Sequence, residues 1–273
     1  MRAFSLTILA GVCLAFSSGV SAASIYFLGN SFTESSRPDV MDAQTSFPVG
    51  IIVNVGWSTY SGKTLDHISS SPTLAVWNSG GNWDSELANN VWDVIVMQPH
   101  TLPGRQVPLN DEVAAVSTIL AEARSAGRNA NTRVFIFGPW AWKEDGDKPP
   151  WNRVYEGSWI RDYDPASITS GLPFNVIQPF EGIFTQELET ACPTEDISYI
   201  PVGEVLFRVG YKLSQTPHPI PSITTAWDLF DTPGAHLVDD AIPTMAATYI
   251  PYMACLSRIL DLPPSSIHRS YSI

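Results

Sequence analysis

A serine follows a short apolar segment near the start of the chain. Residues 24–28 (SIYFL) end in Gly29, and Asn30 and Ser31 come next. A short apolar run bounded by glycine is typical of a buried strand, so Ser31 is predicted at the carboxyl end of a strand with its hydroxyl exposed. There its own N–H can face a developing oxyanion. An ordinary turn has the same composition, so the chemistry depends on a base elsewhere.

The far end of the chain supplies a candidate base. His236 lies in residues 229–237 (LFDTPGAHL), ahead of the last predicted helix, and Asp231 precedes it across a turn-forming Thr-Pro-Gly. An imidazole with an orienting carboxylate is what general-base activation of a serine requires. Asp228, or a backbone carbonyl that supports a Ser/His dyad, are the alternatives for the orienting group.

Strand-like and helix-like segments alternate between these two ends. Apolar runs predict buried strands at residues 24–28, 49–55, 92–97, 132–137 and 197–200. Capping residues and apolar spacing predict helices at residues 110–127, from Pro179, and at 240–260 with a kink at Pro251. This alternation predicts an α/β fold with a central parallel sheet covered on both faces.

The stretch of residues 140–179 breaks the alternation. It is rich in Trp, Pro, Tyr and Asp, and it is longer than an ordinary connection. We interpret it as an insertion at the edge of the sheet where ligand sites form. Trp140 and Trp142 are therefore candidate substrate-binding residues, because aromatic faces stack on sugars and acyl groups, although packing beneath the loop is the alternative. His100, after the third strand, is either a pocket residue or a partly buried loop histidine.

Three segments, in this order, resemble the SGNH (GDSL-like) hydrolase superfamily. The GNSFT segment with Ser31 resembles its first block, with Asn30 in place of the commoner Asp. Residues 61–67 (SGKTLDH) resemble the second block, which contains Gly62. Residues 92–98 (WDVIVMQ) resemble a strand in a less-studied branch, where Gln98 replaces the third-block Asn. The likeness covers most of residues 24–260 in patches.

This resemblance implies a three-layer α/β/α, flavodoxin-like fold and a set of roles. Ser31 would be the nucleophile and His236 the base, oriented by Asp231. The Ser31 and Gly62 N–H groups and the Gln98 amide would form the oxyanion hole. The chain departs from the family in lacking the GxND motif and in having Pro233 where an Asp usually precedes the His. The alternative for Gln98 is a buried amide that bonds the backbone at a strand end.

The implied reaction is ester hydrolysis through an acyl-serine. We expect a serine esterase that removes acyl groups, acetyl foremost, from carbohydrate or a related small ester, without a cofactor. An acyltransferase on the same scaffold and a non-catalytic carbohydrate-binding module are the alternatives.

Composition and charge exclude other partner classes. The 273-residue chain carries 15 Lys and Arg against 27 Asp and Glu, a formal net charge of −12. Nucleic-acid binding requires a basic footprint, and anionic membrane surfaces attract basic segments. No His or Cys spacing matches a metal site, so no metal is expected. The partner expected is a small-molecule or glycan ester, and the oligomeric state is left open.

Residues 1–23 are typical of a secretory signal peptide. Arg2 precedes an apolar run at residues 3–16, and small residues lead to a cleavage site near Ala22 or Ala23. An uncleaved anchor is the alternative, although the run is shorter than the roughly 20 residues of a spanning helix. Residues 24–273 are then one secreted or periplasmic domain. In that oxidising setting Cys192 and Cys255 either form a disulfide or remain buried thiols.

Overall fold

The computed structural model describes residues 22–36, 38–39, 52–72, 77–99, 109–125, 127–138, 178–202, 205 and 241–261. The strands in these ranges are β1 (Ala22–Gly29), β2 (Ile52–Thr59), β3 (Trp77–Asn78), β4 (Val94–Met97), β5 (Arg133–Phe137) and β6 (Ile197–Ile200). The helices labelled here are α1 (Ser31–Ser35), α2 (Leu65–Ser70), α3 (Trp83–Asn89), α4 (Leu109–Ser125), α5 (Gln178–Ala191) and α6 (Ala241–Leu260).

The strands form one sheet in the order β3-β2-β1-β4-β5-β6. All neighbouring pairs are parallel except β2 with β3, which is antiparallel. Without β3, the order is that of flavodoxin-like sheets. The predicted α/β fold, a three-layer flavodoxin-like arrangement with a central parallel sheet, is confirmed. The antiparallel edge strand β3 was not predicted.

Two apolar cores cover the two faces of the sheet. Alternate strand residues point to opposite faces, so Ile25 and Phe27 pack with α6 while Tyr26 and Leu28 pack with α2 to α5. All four are fully buried. Each side chain of this size contributes about 1.5–3 kcal/mol on burial, which is why continuous apolar runs predict these strands well.

Several element boundaries differ from the predicted ones. The second strand ends at Thr59 and not at residue 55, because its polar end still pairs with β1, Thr59 opposite Gly29. The fourth helix begins at Leu109, so Asn110 lies inside it rather than capping it. Its end agrees with prediction: Gly127 has φ +67° and its N–H donates to Arg124 O at 2.9 Å.

Two of the predicted helices are present near their predicted positions, and one observed helix was not predicted. The fifth begins at Gln178, one residue before the predicted start at Pro179, and the sixth runs through Pro251 to Leu260. The third helix, Trp83–Asn89, was not predicted.

Cys192 and Cys255, the cysteines among the described residues, are free, buried thiols. Cys192 belongs to the core on the side of α4 and α5, whereas Cys255 belongs to the core under α6. The sheet therefore separates them, and of the two alternatives the structure has the thiols and not the disulfide. Burial also raises the pKa of the Cys255 thiol, so this thiol stays protonated at neutral pH.

The predicted signal peptide lies outside the described residues, apart from Ala22 and Ala23 at the start of β1. Its cleavage stays a prediction. Among the described residues, no helix is both long and apolar enough to span a bilayer.

Thiol titration provides a test of this cysteine arrangement. Because the thiolate is the reactive form, Cys255 should not react with Ellman's reagent in the native protein. After denaturation without reductant, Cys192 and Cys255 should both react. A disulfide-linked peptide pair in the mass spectrum of the unreduced digest would contradict the prediction.

Candidate active site

The predicted nucleophile lies where the chain leaves the middle of the sheet. β1 and β4 are neighbours in the sheet. After β1 the chain continues to β2, toward one edge of the sheet, and after β4 it continues to β5, toward the other edge. Ser31 follows the end of β1 and Gln98 follows the end of β4, where the Gln98 N–H donates to Leu28 O at 2.8 Å. In open α/β sheets this topological switch point is where ligands bind. The structure thus brings these two predicted site residues to one edge.

Asn30 shapes the turn that carries Ser31. Its backbone is extended and its side-chain oxygen accepts from Phe32 N at 3.1 Å, which is an N-cap. Asn30, Phe32 and Thr33 are buried, whereas Ser31 is partly exposed. Within the described ranges, neither the Ser31 hydroxyl nor its backbone N–H has a hydrogen-bond partner. Among the described residues, the Ser31 hydroxyl and N–H are therefore not engaged in other hydrogen bonds.

Gln98 holds the backbone of this turn from beneath. Its side chain is only 1% exposed, and its Oε1 accepts from Asn30 N at 3.0 Å and from Thr33 Oγ1 at 3.3 Å. Its Nε2 donates to Pro99 O. The buried amide that bonds backbone at a strand end is therefore what the structure contains. The role of Gln98 as an oxyanion donor stays a prediction.

Gly29 is the residue that allows this contact. A Cβ built at Gly29 would lie 2.2 Å from Thr33 Oγ1 and 2.7 Å from the Gln98 Cβ. Any larger residue would push the carboxamide away from the Asn30 N–H. A glycine is therefore required by packing at position 29, two residues before Ser31.

A second turn, from Tyr60 to Lys63, lies beside the Ser31 turn. It closes with Lys63 N donating to Tyr60 O at 2.9 Å, and Gly62, its third residue, has φ +69°, as a type II turn requires. Two bonds dock it on the first turn: Tyr60 N to Gly29 O at 2.9 Å and Asn30 Nδ2 to Lys63 O at 3.1 Å. Gly62 is partly exposed. The structure thus brings the Gly62 turn against the Ser31 turn.

Tyr60 is an ionisable group in this second turn. It is fully buried, and its hydroxyl donates to Pro72 O at 2.7 Å. Burial, and to a lesser extent the charge of Asp84, raise the pKa of Tyr60 well above its usual value. Tyr60 is therefore a neutral phenol at physiological pH and cannot act as the general base.

Glu34 is a site residue that the sequence analysis missed. It lies in α1, and its Oε1 accepts from Thr59 Oγ1 at 2.8 Å and from Ser61 Oγ at 2.9 Å. The hydroxyl residues around the end of β2 were the only sequence signal, and nothing along the chain connects them to a glutamate of the first helix.

The other predicted site residues lie outside the described residues and stay predictions: His236, Asp231, Asp228, His100, Trp140 and Trp142. The proposed insertion at residues 140–179 also lies outside, except for its last two residues, which begin α5. In the part of the chain that is described, no group of three or more His, Cys, Asp or Glu side chains could hold a metal ion.

Comparison with known proteins gives a likeness of fold. No family model matches the sequence, and no curated protein does. A DUF4886 family protein from Bacteroides uniformis superposes with a TM-score of 0.56 at 14% identity, covering 92% of this chain and 88% of that one. At this identity the likeness speaks to the fold alone.

Two carbohydrate esterases superpose less closely. A catalytic mutant of an acetylxylan esterase from Geobacillus stearothermophilus superposes with a TM-score of 0.47 at 12% identity, covering 93% of this chain and 100% of that one. An active-site mutant of a family two carbohydrate esterase from Clostridium thermocellum superposes with a TM-score of 0.47 at 12% identity, covering 88% of this chain and 65% of that one.

Removing the Gln98 carboxamide tests its bracing role. Gln98→Ala leaves the buried Asn30 N–H without its acceptor, so the free energy of unfolding should fall by about 1–3 kcal/mol. Urea denaturation of both proteins measures the difference. Gln186→Ala, at an exposed position of α5, is the matched control and should stay within about 0.5 kcal/mol of the parent. Equal midpoints for the two variants would contradict the role.

Proposed function

We propose that this chain is a serine esterase of the SGNH type, which removes acyl groups, acetyl foremost, from carbohydrate or a related small ester. The observation that carries the proposal is the state of Ser31. It is partly exposed at the topological switch point, with hydroxyl and N–H unbonded among the described residues, while the groups around it are fixed by hydrogen bonds. Ordinary turn serines use their hydroxyls to bond nearby backbone.

In the proposed mechanism, Ser31 Oγ attacks the ester carbonyl while His236 accepts its proton. Asp231, or Asp228 in its place, orients the imidazole and stabilises its charged form. Collapse of the tetrahedral intermediate breaks the bond to the leaving alkoxide, which takes the proton from His236. Water that gives a proton to His236 then attacks the acyl-serine. The bond to Ser31 Oγ breaks, the acid leaves, and Ser31 takes the proton from His236, which restores the enzyme. These steps require neither metal nor cofactor.

The oxyanion would be held by the backbone N–H groups of Ser31 and Gly62. The docking of the Gly62 turn on Asn30 supports this pairing, because it holds the turn beside the nucleophile. Gln98 would add the N–H that is not bonded to Pro99. Each such donor contributes a factor of about 10²–10³ to kcat.

We also propose export as one domain, residues 24–273, after removal of residues 1–23. The substrate then meets the enzyme in the periplasm or outside the cell. The strongly negative net charge fits an uncharged ester better than nucleic acid or an anionic membrane surface as partner.

Ser31→Ala tests the nucleophile directly. Without the hydroxyl, no acyl-enzyme forms, so hydrolysis of p-nitrophenyl acetate should fall at least about 10³-fold. Ser69→Ala is the control, because the Ser69 hydroxyl donates to Asp66 O and, among the described residues, makes no bond outside α2. A fluorophosphonate should label the parent on Ser31. Turnover that survives Ser31→Ala, or glycan binding without any hydrolysis, would refute the proposal, the latter in favour of a binding module.

A pair of glycines separates catalysis from stability. Gly62 and Gly127 have φ +69° and +67°, so alanine at either position is strained by about 1–2 kcal/mol and should lower stability similarly. Gly127 ends α4, away from the proposed oxyanion hole. Because alanine disfavours the positive φ that sets the direction of the Gly62 N–H, Gly62→Ala should lower kcat about tenfold or more. Gly127→Ala should leave kcat unchanged. Equal kcat values in the two variants would remove Gly62 from the oxyanion hole.

A further inference from the structure

One carboxylate joins the two turns of the site. Glu34 lies one helical turn after Ser31, and its Oε1 accepts from both Thr59 Oγ1 and Ser61 Oγ, at 2.8 and 2.9 Å. Thr59 is the last residue of β2, and Ser61 directly precedes Gly62 in the second turn. Glu34 therefore connects the helix that begins at the nucleophile with the turn that carries the proposed oxyanion donor.

The position of Ser61 gives this link its importance. The first and last residues of the turn are already bonded through their backbone: Tyr60 N donates to Gly29 O, and Lys63 O accepts from Asn30 Nδ2. Between these bonds lies Gly62, which can adopt positive or negative φ at little cost. Types I and II turn differ in the direction of the peptide that joins their two central residues, here Ser61 and Gly62. The direction of the Gly62 N–H thus depends on how firmly its neighbour is held.

A carboxylate is well suited to hold that neighbour. Hydrogen bonds to an ionised acceptor are about twice as strong as neutral ones. Of the two bonds, the one from Thr59 is partly buried and therefore less open to competition by water, whereas the one from Ser61 lies at the exposed surface.

We propose that Glu34 is a positioning residue, which holds the Gly62 N–H toward the Ser31 hydroxyl through its bonds to Ser61 and Thr59. The inference rests on the proposed function, because it assigns Gly62 to the oxyanion hole. Glu34 itself takes no part in proton transfer or covalent chemistry.

Variants of Glu34 and Ser61 break the link in different ways. Glu34→Ala removes the acceptor for both hydroxyls, and Ser61→Ala removes only the bond next to Gly62. Glu34→Gln keeps an oxygen acceptor without the charge and should restore part of what Glu34→Ala loses. Glu189→Ala, at an exposed position of α5, is the matched control.

Two readouts are needed. The first is amide hydrogen exchange at Lys63, whose N–H closes the turn, and at Tyr60. The second is the split between kcat and KM for p-nitrophenyl acetate. Glu34→Ala and Ser61→Ala should speed exchange at Lys63 and lower kcat about tenfold, a fraction of the 10²–10³ for losing a donor, with KM nearly unchanged.

The outcomes separate this inference from the proposed function. Exchange at Lys63 that is unchanged in Glu34→Ala overturns the link, and faster exchange with a parental kcat overturns the positioning role. If the parent protein shows neither Ser31-dependent hydrolysis nor fluorophosphonate labelling, the proposed function fails and the catalytic role of Glu34 falls with it. Exchange then still decides whether Glu34 holds the turn.

Discussion

The oxygen of the Gln98 carboxamide fixes the backbone where the chain leaves the first strand. It accepts the Asn30 N–H and the Thr33 hydroxyl, so the strand ends and the helix begins at a defined angle. The contact requires Gly29, because a side chain there would occupy the space of the carboxamide. The same short segment makes the N-cap through Asn30 Oδ1 and docks the Gly62 turn through Asn30 Nδ2 and Gly29 O, so the bonds to Gln98 hold the backbone on which these contacts depend.

Most of the fold could be predicted from the sequence because its strands are buried on both faces. A strand such as β4 has four consecutive buried residues and reads as a continuous apolar run. The error at β2 has a physical reason: Ser58 and Thr59 look like a loop, but Tyr26 and Glu34 satisfy their hydroxyls. The short helix α3 was missed because its pattern is too brief for helical periodicity to show.

The site residues that could be predicted from the sequence are those that directly follow a predicted strand. Ser31 follows an apolar run, and Gly62 follows the next strand, so a parallel sheet brings both to one edge. For Gln98 the sequence analysis offered a buried amide that bonds the backbone only as an alternative, and the particular partners of Gln98 and Glu34 could not be predicted, because they lie on other elements of the fold. In particular, no pattern in the sequence indicates that Gln98 bonds the nucleophile turn through its oxygen.

The two-residue strand β3 also bears on how this molecule behaves among its neighbours. It covers the β2 side of the sheet with only Trp77 and Asn78, paired antiparallel to residues of β2. A long, flat outer strand offers a row of free peptide groups on which another polypeptide can grow. Because β3 pairs only with Ser58 and Thr59, the last two of the eight residues of β2, it shields only the carboxyl end of that border from such growth.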